Sequence, residues 1–312
     1  MEILLQVVIL IVGFALLIKG ADFFVDGASG IAKRFGIPEL VIGLTIVAMG
    51  TSAPEAAVSI AGAFKGSADI SIGNVVGSNI MNILLILGVT AVIRTLAFEK
   101  STIKIELPFL LIISAMFTVL GLDGVMSRMD GIILWLVFII YLIYLFKKSK
   151  NDKQETGENA AAEKPIWLIL IFVVGGMFMI VFGSNIAVDA ASKIASAFGM
   201  SERLIGLTIV AFGTSLPELV TSVTAARKGN ADIAIGNIVG SNIFNYLFVI
   251  GTSALIIPIN FASQFIRDSI IAIAVAALLW VFALLTKKLD RKSGVVFLIC
   301  FVAYYAFIMI GQ

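Results

Sequence analysis

Residues 43–88 read GLTIVAMGTSAPEAAVSIAGAFKGSADISIGNVVGSNIMNILLILG, and residues 206–251 read GLTIVAFGTSLPELVTSVTAARKGNADIAIGNIVGSNIFNYLFVIG. Aligned without a gap at an offset of 163 residues, 29 of the 46 positions are identical. Each copy places one glutamate, Glu55 or Glu218, in a segment apolar enough for the interior of a bilayer. Because a carboxylate in hydrocarbon is costly, it normally lies where it has a function. The repeat therefore predicts one cation site that is assembled from two related halves.

The composition is that of a membrane protein. Of the 312 residues, 60% are hydrophobic and only 13% are charged, and the charged residues cluster between apolar runs. These runs are roughly 20 residues long, which is the length of helix that spans a bilayer. The chain has one cysteine, Cys300, and no histidine, so it lacks a disulfide framework and the usual ligands of transition metals. The net charge of +2 gives no indication of nucleic-acid binding.

The apolar runs predict an all-α integral membrane protein with about ten transmembrane helices. The first run lacks the basic start and the small-residue cleavage pattern of a signal peptide, so we interpret it as the first helix. The predicted spans cover residues 3–30, 38–64, 69–93, 104–121, 129–147, 165–195, 202–226, 232–257, 267–286 and 293–310.

The repeat extends beyond its two central blocks. At the same offset, Gly20 matches Gly183 and Asp26 matches Asp189. Each half is therefore a unit of five helices. Because five is odd, the second unit enters the membrane from the opposite side, as in transporters built from inverted repeats. The predicted division is a first repeat at residues 1–147, a charged linker at residues 148–164, and a second repeat at residues 165–312.

The basic residues predict the orientation. With the connections numbered from the N-terminus, the odd connections carry 16 lysines and arginines and the even connections carry 5. Since cytoplasmic loops are enriched in these residues, the odd connections are expected in the cytoplasm. This prediction makes the protein a multi-pass component of the cell membrane, with both termini outside and the linker in the cytoplasm.

The motifs GTSAPE, residues 50–55, and GTSLPE, residues 213–218, supply oxygen atoms. A proline lacks a backbone donor and clashes with the carbonyl four residues earlier, which frees carbonyls around each motif. Unwound backbone at this depth needs a polar partner, and a cation meets that need. The candidate ligands are the carbonyls near Ala48, Thr51, Ala211 and Thr214, the hydroxyls of Thr51, Ser52, Thr214 and Ser215, and the carboxylates of Glu55 and Glu218.

The second pair of motifs, GNVVGSNIMN and GNIVGSNIFN, adds hydroxyl and amide groups. Residues four apart share a helix face, which groups Ser78 with Asn82 and Ser241 with Asn245. Asn74 and Asn237 lie one turn earlier on those faces, and glycines four apart let the helices approach closely.

Carboxylate, carbonyl, hydroxyl and amide oxygens are ligands for calcium, sodium or magnesium rather than for zinc or copper. A cage built mainly by protein oxygens favours calcium, because magnesium tends to keep its waters. Two ionised carboxylates balance one Ca²⁺, whereas several Na⁺ can share the same cluster. Competition of the two ions for the same acids is a physical basis for exchange.

The duplicated motifs resemble those of the cation/calcium antiporter superfamily, whose two α-repeats carry G-T-S-x-P-E and G-N-x-x-G-S-N. The resemblance covers essentially the whole chain and implies a ten-helix exchanger fold. Helices 2, 3, 7 and 8 then form the ion-binding core, and the long helices 1 and 6 slide past it. The implied calcium ligands are Glu55 and Glu218, the implied inward sodium-site residues are Ala48, Thr51, Ser52 and Ser78, the outward ones are Ala211, Thr214, Ser215 and Ser241, and the central polar pair is Asn82 and Asn245.

Asn245 bears on potassium, because potassium-dependent members carry aspartate there; asparagine resembles the potassium-independent members. The leading hypothesis is thus a Ca²⁺/Na⁺ antiporter that uses alternating access, and Ca²⁺/H⁺ exchange on the same scaffold is the alternative, since buried glutamates can carry protons. An intramembrane enzyme is disfavoured by the lack of a base for Ser52 or Ser215, and a passive channel by the inverted repeats. We expect the transported ions and the bilayer as partners, with no cofactor, nucleic acid or obligate protein partner.

Overall fold

The computed structural model describes residues 2–65, 69–151, 164–200, 209 and 211–310. The chain is helical, and its helices include short π turns. The helices are α1 (Glu2–Phe35), α2 (Glu39–Thr51), α3 (Ala53–Phe64), α4 (Asp69–Met81, continuing through Gly88–Ile93), α5 (Thr102–Leu120), α6 (Arg128–Asn151), α7 (Ile166–Ala197), α8 (Ala211–Thr214), α9 (Leu216–Arg227), α10 (Ala231–Phe244, continuing through Gly251–Ile256), α11 (Ser263–Thr286) and α12 (Arg291–Ile310).

Each of the ten predicted segments is helical over most of its described residues. The start of the seventh segment, residues 202–208, lies outside the described residues, as does most of the linker. Within the described part of the chain, seven helices are long and apolar enough to cross a membrane, or eight if the bent pair α2 and α3 is one span. The all-helical membrane class is confirmed, and the count of ten spans stays a prediction.

Two helices break at the predicted motifs. The chain bends by 50° between α2 and α3, at Ser52, and Pro54 lies in the first turn of the new helix. Ser215 makes the matching break between α8 and α9, followed by Pro217. A proline fits the first turn of a helix because that turn has no use for its missing N–H. Each glutamate motif thus begins a new helix in the middle of an apolar segment.

The long helices α1 and α7 are antiparallel and touch through glycines. A Cβ atom on Gly13 would lie 2.9 Å from the Gly183 carbonyl oxygen, and one on Gly20 would lie 2.8 Å from that of Gly176. Such close backbone approach requires residues without side chains. The four glycines are related in pairs by the offset of 163, so the seam is built from both repeats.

Helix α10 lies at the centre of the molecule. In its most apolar window, 94% of the residues are buried. Gly236 and Gly240 bring it against α2, since a Cβ on either would lie 2.8 Å from a backbone oxygen of that helix. The predicted close packing of the glycine-containing helix is confirmed here, and it brings α10 beside the break at Ser52.

Two short ribbons link the halves at the loops. The strands are β1 (Leu96–Ala97), β2 (Val125–Met126), β3 (Ile259–Asn260) and β4 (Lys288–Leu289). Strand β1 pairs antiparallel with β4, and β2 pairs antiparallel with β3. Each ribbon therefore joins a loop of the first half to a loop of the second.

Candidate cation-binding site

The two glutamates lie in one buried pocket, and each contacts the other half of the molecule. Both side chains are fully buried, in the first turns of α3 and α9. The Ser52 hydroxyl donates a hydrogen bond of 2.8 Å to Glu218 Oε1, and the Ser215 hydroxyl donates one of 3.3 Å to Glu55 Oε1. The serine at each helix break therefore contacts the glutamate of the other half. The predicted meeting of the two acids is confirmed by these crossed contacts.

The pocket holds acceptor oxygens that have no donor. Among the described residues, Glu55 Oε2 and Glu218 Oε2 are buried without a hydrogen-bond partner, and so are Asn82 Oδ1 and Asn245 Oδ1. In the described part of the chain, no lysine or arginine pairs with either glutamate. Buried polar atoms normally have partners, so an orphaned acceptor indicates a place where a water or an ion binds. Carboxylate and amide oxygens are ligands suited to a hard cation.

A quartet of asparagines orients two of these oxygens. The amides of Asn79 and Asn242 donate to each other's backbone carbonyls, at 3.2 and 3.1 Å. Asn82 Nδ2 donates to Asn242 Oδ1 at 2.9 Å, and Asn245 Nδ2 donates to Asn79 Oδ1 at 3.1 Å. Because each amide nitrogen of Asn82 and Asn245 is engaged, the oxygen on the same group remains available.

The helices that carry the glutamates are held by a further pair of asparagines. Asn74 donates to the hydroxyl of Ser59 on α3 at 3.0 Å, and Asn237 donates to that of Ser222 on α9 at 2.9 Å. Each amide also reaches the backbone carbonyl of the glutamate itself, at 3.3 Å for Glu55 and at 3.4 Å for its counterpart. These contacts fix the first turn of each broken helix against α4 or α10.

The C-terminal end of α2 adds neutral oxygens. The Ala48 carbonyl accepts a hydrogen bond of 3.4 Å from the Ser241 hydroxyl. The Thr51 hydroxyl lies 2.9 Å from Asn237 Oδ1. Carbonyls at the end of an interrupted helix carry partial negative charge, which favours cations. Ser241 thus meets Ala48 across the division into inward and outward groups that the resemblance implied.

The structure describes the other predicted site residues to different extents. Ser78 is buried beside this region, and Thr214 lines an adjacent cavity. Ala211 begins α8, but its side chain is outside what the structure describes, and the role of its carbonyl stays a prediction. The sequence reasoning missed Asn79 and Asn242 as members of the site. Their signal was present, because both lie in the duplicated GSN triplet.

A half-open cavity of 660 Å³ reaches the first turn of α3 and the end of α8. It is lined by Pro54, Gly213 and Thr214 near the glutamates and by Asp189 near its mouth. At the matching positions of the other half, Ile18 and Asp26 are exposed, whereas several positions nearer the helix break are buried. The matching residues Ala21, Val25, Gly50 and Thr51 are all buried.

The donor set contains few charges. Within the described ranges, no group of three or more His, Cys, Asp or Glu side chains could hold a metal ion. A cation here would therefore depend on two carboxylates and on neutral oxygens. That composition suits an ion that is bound and released, because a fully charged cage would hold a divalent ion more tightly.

Comparison with known proteins agrees with this geometry. The family model described as sodium/calcium exchanger protein matches residues 5–147 and 167–310. The chain belongs to this family. The family consists of transporters and not of enzymes, so the protein is a multi-pass membrane protein of the exchanger class.

Relatives in the family are similar over nearly the full chain. The sodium/calcium exchanger MaX1 of Methanosarcina acetivorans is 33% identical, with 95% of this chain and 96% of MaX1 covered. The inner membrane protein YrbG of Escherichia coli is 40% identical, with 82% of this chain and 81% of YrbG covered. A structure of the sodium-calcium exchanger NCX_Mj soaked with zero Na⁺ and Ca²⁺ superposes with a TM-score of 0.87 at 33% identity, covering 98% of this chain and 99% of that one.

Proposed function

We propose that this protein exchanges Ca²⁺ for Na⁺ across the cell membrane by alternating access, without a requirement for K⁺. The observation that carries the proposal is a set of four buried acceptor oxygens, contributed by Glu55, Glu218, Asn82 and Asn245, that have no hydrogen-bond partner among the described residues. The relatives named as sodium/calcium exchangers support the pair of ions. The ions are substrates, and we expect no cofactor and no obligate protein partner.

In this proposal Ca²⁺ occupies the centre and takes both carboxylates. Its charge balances that of ionised Glu55 and Glu218. Sodium ions would occupy subsites around the same acids, formed by the carbonyls and hydroxyls of the helix breaks. The proposed sodium-site residues are Ala48, Thr51, Ser52 and Ser78 in one group and Ala211, Thr214, Ser215 and Ser241 in the other. Since both ions use the same acids, binding of one excludes the other, which is what exchange requires.

Alternating access follows from the energetics of the empty site. A pocket with two uncompensated carboxylates is unfavourable to enclose in a low-dielectric interior. Bound cations remove that cost, so the pocket can close on one side and then open on the other. The half-open cavity supports this reading, because it reaches Pro54 and Thr214, whereas several matching positions near the helix break of the other half are buried.

Independence from K⁺ is supported by Asn245. Its Nδ2 donates to Asn79 Oδ1 at 3.1 Å, and this contact needs an amide. An aspartate at this position would place a carboxylate oxygen next to Asn79 Oδ1, so that two acceptors face each other. It would also add a third negative charge. The quartet is therefore built for asparagine.

The proposed topology has ten spans in two inverted repeats, residues 1–147 and 165–312, joined by the linker 148–164. Four contacts support it by joining only connections of like parity. The ribbon β1–β4 joins the third and ninth connections, and β2–β3 joins the fourth and eighth. Lys148 of the fifth connection donates to Ser101 of the third, and Lys33, Lys164 and Lys228, of the first, fifth and seventh, line one cavity. The charge bias then puts the odd connections in the cytoplasm and both termini outside.

The decisive experiment measures ⁴⁵Ca²⁺ uptake into proteoliposomes that contain the purified protein. Vesicles loaded with Na⁺ and diluted into Na⁺-free medium should take up Ca²⁺, while vesicles loaded with K⁺ should not. Uptake driven by a pH gradient without Na⁺ would assign Ca²⁺/H⁺ exchange instead. Adding K⁺ on both sides should leave the Na⁺-driven rate unchanged.

Glu55→Gln and Glu218→Gln are each expected to abolish Na⁺-driven uptake, because either change removes one of two charges that balance Ca²⁺. Glu99→Gln, a substitution of the same type outside the pocket, is the matched control and should retain uptake. Uptake at the wild-type rate by either glutamate variant would remove the basis of the assignment.

A further inference from the structure

An ion pair joins α1 to the turn that follows α9. Lys228 Nζ lies 2.7 Å from Asp26 Oδ1 and 3.5 Å from Asp22 Oδ1, and it donates to the Asp22 carbonyl at 2.9 Å. Next to it, the Asn230 amide donates to the Ser29 hydroxyl. Four contacts therefore bind this turn to α1 at one place. We call this cluster the lysine latch.

The repeat places the same residue types at the opposite face. At the offset of 163, Lys65 matches Lys228, Asp189 matches Asp26 and Ser192 matches Ser29. Here the groups are apart: among the described residues, no ion pair joins Lys65 to Asp189. Among the described residues, the Ser192 hydroxyl has no hydrogen-bond partner, whereas its counterpart, Ser29, accepts a hydrogen bond from Asn230.

The presence or absence of the ion pair on each face agrees with how far the cavity on that face extends. Asp189 and Ser192 line the half-open cavity that reaches Gly213 and Thr214. On the face of the lysine latch, a cavity lined by Asp26 and Lys228 includes neither Gly50 nor Thr51 among its described lining residues. The cavity on the face with the separated groups therefore reaches a helix break, whereas the described lining of the cavity on the face with the formed ion pair does not.

We propose that the two clusters are alternating latches: Lys228 with Asp26 holds one face shut, and Lys65 with Asp189 forms when the other face shuts. Lys65 and Lys228 are then gating residues, since they act on access to the pocket and touch no transported ion. The inference rests on the proposed alternating access, because only a carrier that closes at each face in turn uses both clusters.

Such a latch requires only a weak ion pair. The Lys228 and Asp26 side chains are partly exposed, so the pair is screened by solvent. An exposed ion pair changes an equilibrium by roughly two- to fivefold. This is enough to bias two nearly balanced states, whereas a much stronger contact would trap one of them.

The test uses two single-cysteine reporters in a Cys300→Ser background. Val58→Cys lies in the open cavity, and Thr221→Cys is the matching position of the other half, where the native side chain is fully buried. The rate of labelling by a polar maleimide, measured on purified protein in nanodiscs, reports the opening of each face. Both faces are exposed to reagent in nanodiscs, so the membrane orientation does not matter.

Lys228→Gln should raise the labelling rate of the Thr221→Cys reporter and lower that of the Val58→Cys reporter, each by roughly two- to fivefold. Lys65→Gln should do the reverse. The same chemical change thus has opposite effects at two places, which a general loss of stability does not produce. Lys228→Arg, which keeps the charge, should retain the wild-type rates.

Two lysines serve as matched controls. Lys33 lies in the cavity beside the lysine latch, and Lys193 lies on the other face near Ser192, but neither belongs to a latch. Lys33→Gln and Lys193→Gln should leave both reporters unchanged. The double variant Lys65→Gln with Lys228→Gln should return toward the wild-type balance, because both faces lose their latch.

Labelling rates that move in the same direction at both reporters, or that do not move, would overturn the latches. The outcome is separate from that of the flux assay, because labelling needs no ion gradient. Unchanged labelling together with Na⁺-driven uptake by the wild type would remove the latches and leave exchange in place. Opposite shifts without such uptake would leave the latches and remove the proposed ions.

Discussion

Asn79 is a residue whose importance follows from what it orients. Its Oδ1 accepts the Asn245 amide, and its own amide donates to the Asn242 carbonyl. Asn79→Ala would leave the Asn245 amide free to turn, so that its nitrogen can face the cation. A hydrogen bond of this kind contributes about 1 kcal/mol, and an unsatisfied buried group costs about 1–3 kcal/mol. We expect the Ca²⁺ concentration for half-maximal uptake to rise about tenfold with a smaller change in the maximal rate.

Flux titrations with ⁴⁵Ca²⁺ check this prediction. Asn242→Ala, the matching change in the other half, should have a similar effect through Asn82. Ser253→Ala removes a buried hydroxyl away from the quartet and serves as the control. A wild-type half-maximal concentration for Asn79→Ala would show that the quartet does not set the direction of the amide oxygens.

At the scale of residues, the sequence predicts most of the side chains of the pocket but not the hydrogen bonds between them. Glu55 and Glu218 stand out because an acid in an apolar segment is rare. A spacing of four residues groups Asn82 with Ser78 and Asn245 with Ser241. Asn79 lies three residues before Asn82, so this spacing does not identify it. The contact of Ser52 with Glu218 depends on how two halves pack, and local spacing carries no information on that.

At the scale of helices, the seam between α1 and α7 decides how near these helices can lie. Gly175 and Gly176 are neighbours with different surroundings. A Cβ on Gly176 would lie 2.5 Å from the Phe24 backbone nitrogen, whereas one on Gly175 would meet nothing described within 4 Å. Gly176→Ala should therefore force the helices apart, at a cost of about 1–3 kcal/mol.

Gly175→Ala is the matched control, because it adds the same methyl group one residue away. Thermal unfolding in detergent should show a lower midpoint for Gly176→Ala and an unchanged or slightly higher one for Gly175→Ala. Equal midpoints for the two variants would contradict the close backbone contact. Na⁺-driven uptake should fall with Gly176→Ala alone, since the seam is shared by the helices that border both faces.

Helix positions were predictable from the apolar runs, but their ends were not. Helix α6 continues past 147 to Asn151, beyond the predicted start of the linker. The reason is Lys148, whose Nζ lies 2.8 Å from Glu106 Oε1 in a buried ion pair. A lysine at the end of an apolar run is typical of a cytoplasmic loop, so the burial of Lys148 could not be predicted from its position.

For the whole molecule, the sequence predicts the two-fold plan because the offset of 163 relates residues throughout both halves. It does not predict which face is open, since exchange of the halves converts one state into the other. The open cavity beside Asp189 and the closed turn at Lys228 are therefore a property of one conformation. Because the two halves have matching residues, the sequence pattern is equally compatible with either conformation.

Orientation in the membrane is the prediction that assigns these faces to compartments. Alkaline phosphatase fused after Gln312 should be active in a bacterial host, and green fluorescent protein at the same place should be dark, because the C-terminus is expected outside. Green fluorescent protein inserted after Gly157 should be bright, because the linker belongs to the odd connections with their 16 basic residues. The reversed pattern would invert the assignment, and the same side for both fusions would contradict an odd number of spans in the second repeat. With the expected pattern, Lys65 and Asp189 face the exterior, so external Ca²⁺ enters by the cavity beside Asp189 and the lysine latch seals the cytoplasmic face.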